Sequence, residues 1–279
     1  MQIIQKKTCM NSTSEETPHM HATPPRLTTP PAWKFTLYLG AALFLLWSMK
    51  GSGFSGKDLI DGIPNLTRLI GEMLPPDTKR LPYISKALLQ TFQMGLVGAA
   101  VGIVISFFLA ILASRRNTPH KYVYYATRFI IAFCRSVPDL VWAVLFVASV
   151  GLGAFAGTLT IIVDTVGFCG RFFAEAMEDV DTGPEEALKS IGAKRIFIVI
   201  SAITPAAMPS FVNTSLYALE KAVRSSVVLG LVGAGGIGIE LKVAMDMFEY
   251  QEAATIIFCV FMLVIAVEQF SIYTRRHFM

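Results

Sequence analysis

Charge is what this sequence has least of. Only 16% of its 279 residues are Asp, Glu, Lys or Arg, against 53% hydrophobic, and the mean hydropathy is +0.55. A soluble domain carries about 25% charge, so water is the wrong solvent for most of this chain. Cysteine is scarce as well. Cys9, Cys134, Cys169 and Cys259 form no close pair, and the last three lie in apolar runs; this excludes a disulfide framework and leaves them as packing residues. There is no CxxC, no HExxH and no Cys/His cluster, so no metal site is expected; the "HMH" of His19 to His21 belongs to a polar tail. No basic patch is interleaved with aromatics, so the net charge of +4 points to loops beside an anionic membrane leaflet rather than to nucleic acid.

Nucleotide motifs are missing too. "GAGGIG", Gly233 to Gly238, has no following Lys-Ser/Thr and no βαβ context, which excludes both a Walker loop and a Rossmann fingerprint. Its glycines are expected to end a span and let backbones pack closely. The chain thus carries no visible energy source of its own, and no cofactor is expected.

What is present is long apolar sequence. Charge-free runs extend from Ala87 to Ala113, from Leu140 to Val163 and from Ile196 to Leu219. At about 1.5 Å per residue each is long enough to cross a hydrocarbon layer of about 30 Å. The expected fold is therefore all-α: a polytopic integral membrane protein with about six transmembrane helices.

Residues 1–32 are polar and rich in Thr and Pro, a tail too poor in apolar surface to fold. Residues 33–49 make the first span, a retained anchor with Trp33 and Trp47 at its interfaces. Residues 50–82 hold an extracytoplasmic segment in which Leu59, Ile63, Leu66, Ile70 and Leu74 recur at helical spacing; an interfacial helix is expected there, interrupted early by Pro64. The remaining spans are placed within Ala87–Ala113, then at about 128–150, 158–176, 211–232 and 253–273.

Six spans put both termini on one side, and the positive-inside rule puts Arg115, Arg116, Lys121, Lys189, Lys194, Arg195, Arg275 and Arg276 in the cytoplasm. Lys50, Lys57, Arg68, Lys79, Arg80 and Lys86 then fall outside, against the rule, offset in net charge by Asp58, Asp61, Glu72 and Asp77.

Between the fourth and fifth spans lies a polar stretch, "DVDTGPEEALKSIGAKR". Thr182 and Glu185 have capping-box spacing, Pro184 suits a first turn and Gly192 a reversal. A helix over 184–191 follows, with Ala187, Leu188 and Ile191 as its apolar face and Glu186 and Lys189 pointing elsewhere. A second helix from about Ala193 meets Pro205, which kinks or ends it.

This stretch, with Glu186, Ala187, Gly192 and Pro205 at the matching spacing, resembles the EAA signature of binding-protein-dependent ABC importer permeases. Leu188 replaces the second Ala, and Ala202 and Thr204 replace the usual residues before the Pro. With "RSVPDLVWAVLFVASVGLGAFAG" and "VRSSVVLGLVGAGGIGIEL" the resemblance covers roughly Tyr83 to the carboxyl terminus, or residues 83–279, and looks most like permeases for phosphonate, phosphite and hypophosphite. It implies that residues 182–204 are cytoplasmic coupling helices gripping an ATP-binding subunit through Glu185, Glu186, Ala187, Lys189 and Gly192. It also implies a second permease subunit, identical or homologous, an extracytoplasmic solute-binding protein, and the bacterial inner membrane as location.

Charges inside spans cost about 2.5–3.5 kcal/mol each on insertion scales and face a cavity or a partner. Arg135 and Asp139 are four apart and can pair along one helix; Asp164 and Arg171 share a face; Glu220 and Arg224 can pair. Arg135, Arg171, Lys221 and Arg224 are the candidates for an oxyanion path, Lys221 and Arg224 foremost. An ion-coupled transporter working through Asp164 or Glu268 is the rival reading, but the paired broken helices of an internal repeat are not visible. A membrane enzyme would need catalytic constellations that do not appear.

Overall fold

The computed structural model describes residues 32–118 and 120–278; the tail, His19 and His21 included, lies outside them. Described residues form α-helices and no strand: α1 (Ala32–Gly51), α2 (Gly56–Glu72), α3 (Leu81–Ala113), α4 (Lys121–Ser136), α5 (Asp139–Val150), α6 (Ala154–Asp179), α7 (Gly183–Ser190), α8 (Arg195–Ile198), α9 (Thr204–Gly230), α10 (Ile237–Asp246) and α11 (Tyr250–Phe278). The chain divides into two compact units at Gly62.

In the first unit α1 exposes its side chains throughout, with Phe44 and Trp47 in ring contact at 5.9 Å. Four helices are long and apolar enough to cross a membrane, over Leu81–Ala113, Ala154–Asp179, Arg195–Gly230 and Tyr250–Arg276, and the α4–α5 pair makes a fifth if it is one span. α1 is not among them. Lys34 and Lys50 leave about 22 Å of uncharged helix between them, less than a hydrocarbon layer.

Three prolines act differently from one another. Pro64 does not interrupt α2, which runs through it. The carbonyl that loses its donor is accessible to water because α2 buries no residue. Pro138, by contrast, breaks the expected span at 128–150 into α4 and α5, bent by 91°. Val137 before it is held extended at φ −84°, ψ 124°, the conformation a following proline imposes. Pro205 does not end its helix, which runs on from Arg195 to Gly230. A π-helical stretch, Val199–Ile203, precedes it, with the Thr204 N–H donating to Val199 O, and the wider turn takes up the misfit of a residue without an N–H.

The second unit is organised around α3, α6 and α9. Small residues on α3 bring the backbones together: a Cβ on Gly98 would stand 2.6 Å from Ile161 of α6, one on Gly102 2.6 Å from Thr165, and one on Gly95 2.9 Å from Val223 of α9. Lipid tails are as apolar as the helix faces, so this close van der Waals fit, not burial from water, holds the bundle together.

At the end of the bundle away from α7, the glycine run behaves as expected. Gly233, Gly235 and Gly236 all have positive φ. The Gly153 N–H donates to Gly233 O at 3.1 Å and the Ile237 N–H to Thr91 Oγ1 at 2.7 Å. α10, which follows, adds a helix to the expected set. Arg80 closes the same end on Glu252 at 2.8 Å.

Gly102→Leu is expected to destabilise the detergent-purified protein by about 1–3 kcal/mol through overpacking, read as a lower melting temperature. Gly40→Leu in α1, whose Cβ would meet nothing within 4 Å, is expected to leave the melt unchanged.

Candidate coupling hairpin and transport path

α7 is eight residues long, from Gly183 to Ser190, with Pro184 in its first turn. The capping box does not form. Thr182 is itself near-helical at φ −79°, ψ −20° and makes no side-chain cap; its spacing partner, Glu185, is drawn elsewhere. The far end matches expectation. Gly192 has φ +76°, its N–H donates to Lys189 O at 3.0 Å, and the Ala193 N–H reaches back to Leu188 O at 3.1 Å. This pair of bonds is a Schellman reversal, which needs the left-handed residue that Gly supplies without steric cost.

The face assignment from sequence is also corrected. Of Ala187, Leu188 and Ile191, only Leu188, together with Ala193, packs partly on the core of Phe173, Met177 and Ile198. Ala187 is exposed and Ile191 is 77% exposed, as are Ile196 and Phe197 of α8 in large part. Glu186 and Lys189 face solvent. The buried member of the helix is an acid, Glu185, at 6% exposure.

Glu185 is satisfied by two cations. Lys189 Nζ lies 2.6 Å from its Oε1, and Arg116 donates from Nε to Oε2 at 2.9 Å. The Lys189 hydrogen bond holds the Glu185 carboxyl below its ordinary range; burial opposes this and Arg116 reinforces it. Arg116 also donates from Nη1 to the carbonyls of Val180 and Glu178 at 2.6 and 3.1 Å. In the sequence alone Arg116 is no more than an inside-facing charge. No periodicity ties it to Glu185, because the two are 69 residues apart.

The four candidate cations separate into two kinds. Lys221 is paired with Asp164 at 2.8 Å and Arg224 with Glu220 at 3.2 Å, Glu220 being shared with Arg275 at 3.4 Å. Asp164 thus does not face Arg171, which pairs with Glu175 at 2.7 Å. Nor does Arg135 pair with Asp139, since the break at Pro138 separates them. Asp139 instead accepts from the Leu140 N–H at 2.9 Å and from Ser225 Oγ at 3.2 Å.

Arg135 and Arg171 are brought together. With Arg128, Ser136 and Glu175 they line a cavity of about 480 Å³. Depth follows from Gly167: a Cβ there would stand 2.8 Å from the Arg135 backbone N, and Gly167 lies halfway along α6, roughly 20 Å from either end at 1.5 Å per residue. Arg135 therefore sits at mid-span, on an apolar scaffold, beside a helix break.

The chain matches the model of the family described as binding-protein-dependent transport system inner membrane component over residues 102–274. It is 38% identical to a phosphite transport system permease protein of Stutzerimonas stutzeri, over 87% of each chain. It is 37% identical to a phosphate-import permease protein of Mycolicibacterium smegmatis, over 78% of this chain and 41% of that one. Among solved structures, a chain of the MetNI methionine ABC transporter in an inward-facing conformation superposes with a TM-score of 0.63 and 24% identity, over 73% of this chain and all of that one; this likeness concerns the fold. On the family match and the Stutzerimonas relative, the chain belongs to the inner-membrane components of binding-protein-dependent transport systems.

Proposed function

We propose that this chain is the permease subunit of an ATP-driven importer for phosphonate or a related phosphorus oxyanion such as phosphite or hypophosphite. The observation that carries the reading is identity of 37–38% to permeases named for phosphite and phosphate transport, joined to the family match. ATP is hydrolysed in a separate cytoplasmic subunit: that partner supplies the energy and this chain the path. A second permease subunit, identical or homologous, completes the path, and an extracytoplasmic binding protein delivers the solute.

In this reading residues 33–49, within α1, are the first of six spans, the short apolar stretch being extended by Lys34 and Lys50, whose long stems carry their charges out to the headgroups; residues 50–82 face outward, and both termini are cytoplasmic. The α7–α8 hairpin is the part the ATP-binding subunit grips. Glu186 and Lys189 stand outward with Ala187 and Ile191, and a capped rod of this kind passes on a rigid displacement that a flexible loop would absorb. Gly192 sets the angle between its two helices.

For the solute, an anion path needs positive potential without a tight site, because strong binding traps the cargo. Lys221 and Arg224 have their charge balanced by Asp164 and Glu220, which makes them weaker candidates than their sequence positions suggested. Arg135 has no ion pair or hydrogen bond among the described residues, and with Arg171 it lines the mid-span cavity; a cation at that depth is costly unless it serves a cavity or a partner. The Asp164–Lys221 pair also weighs against an ion-coupled transporter using Asp164, since a cation already occupies that carboxylate.

Three measurements test these points. The chain expressed with an ATP-binding subunit and a binding protein from the same system is expected to copurify with both and to show ATP hydrolysis stimulated by phosphite, hypophosphite or a phosphonate; stimulation by none of them refutes the substrate class. Ile191→Cys is expected to crosslink to the ATP-binding subunit, and a crosslink confined to this chain refutes the docking face. Arg135→Gln is expected to lower import about tenfold, the loss of one charge-assisted contact of about 1.4 kcal/mol, while Arg224→Gln has a smaller effect; the reverse order refutes the ranking.

A further inference from the structure

The hairpin is tied to the bundle by a residue that neither docking nor transit uses. Arg116 stands in the turn between α3 and α4. It donates from Nε and Nη2 to Glu185 Oε2 of α7, at 2.9 and 2.5 Å. From Nη1 it donates to the carbonyls of Glu178 and Val180, the last of which caps α6 and would otherwise be an unpaired helix-end acceptor. Its own carbonyl accepts from the Arg195 guanidinium of α8. One residue, close after the end of α3, therefore touches α6, α7 and α8.

The contact is well placed to carry force. The Arg116 and Glu185 side chains are only 19% and 8% exposed, so solvent and salt screen them little. Leu188 is the one apolar side chain of α7 packed on the core, and a single such contact lets a short helix roll. A guanidinium with bonds in fixed directions to a carboxylate and two carbonyls holds both position and orientation, which an ammonium cannot.

We infer that Arg116 is the joint through which displacement of α7 reaches α3 and α6, a positioning residue for transport, and that Glu185 serves the bundle rather than the ATP-binding subunit. This rests on the reading of the hairpin as the docking element. Breaking the joint lets the ATP-binding subunit cycle and move α7 without moving the spans.

The test uses the complete importer in proteoliposomes, with phosphite imported and ATP hydrolysed measured together. Arg116→Ala and Arg116→Lys are expected to lower phosphite imported per ATP by at least about fivefold, the low end of energetic coupling between sites. The exchange Arg116→Glu with Glu185→Arg is expected to recover much of what Arg116→Glu alone loses, which loss of folding would not do. An unchanged ratio in Arg116→Ala, or an exchange no better than Arg116→Glu, overturns the joint. If Arg116→Ala does not assemble, Glu185→Gln, which keeps shape and removes the charge, decides by the same ratio. A wild-type importer that takes up none of phosphite, hypophosphite and a phosphonate overturns the substrate reading instead. Stimulation of ATP hydrolysis by the binding protein then judges the joint: loss of it in Arg116→Ala supports the joint, and equal stimulation in both overturns it.

Discussion

The close approach of α3 to α6 and α9 is the constraint on which the second unit depends. In a bilayer no hydrophobic gain drives helices together, and fit between small residues has to do it. Gly95, Gly98 and Gly102 put one face of α3 within van der Waals reach of Val223, Ile161 and Thr165. With the three helices held so tightly, their two ends become fixed platforms. One end is closed by the glycine run and by Arg80 on Glu252; the other carries α7 and α8.

The same packing decides what the charges do. Asp164 and Lys221 lie on neighbouring helices and neutralise each other, and Glu220 is shared by Arg224 and Arg275. Each pairing lowers the cost of keeping an ion among apolar helices. The break at Pro138 has the opposite effect on Arg135, because it removes Asp139 from the helix face where the two would meet. An arginine is left at mid-span beside Arg171. A single proline thus turns an expected ion pair into a cation facing a cavity.

The hairpin shows how an amphipathic pattern can mislead. Its apolar positions were the natural ones to bury, yet Ile191 is 77% exposed and Glu185 is buried. Its exposed apolar side chains are those the proposed docking would use, and an acid inside is tolerable when Arg116 and Lys189 both hold it. The capping box fails for the same reason: Glu185 cannot reach back to Thr182 while it is held by those cations.

Much of this protein was legible in the sequence. Apolar length alone marked α3 and α9, since burying a charge-free run of that length needs a bilayer, whereas the run from Leu140 to Val163 proved to be divided between α5 and the start of α6. Gly192 was readable as a reversal because few residues tolerate positive φ, and the EAA-like spacing pointed to the family that the comparisons then showed. Only the tertiary structure decided which charges pair, how Pro64, Pro138 and Pro205 differ in effect, and that Arg116 meets Glu185. Those outcomes depend on contacts between residues far apart in the chain and on whether a freed carbonyl finds a donor, and local periodicity carries no information about either.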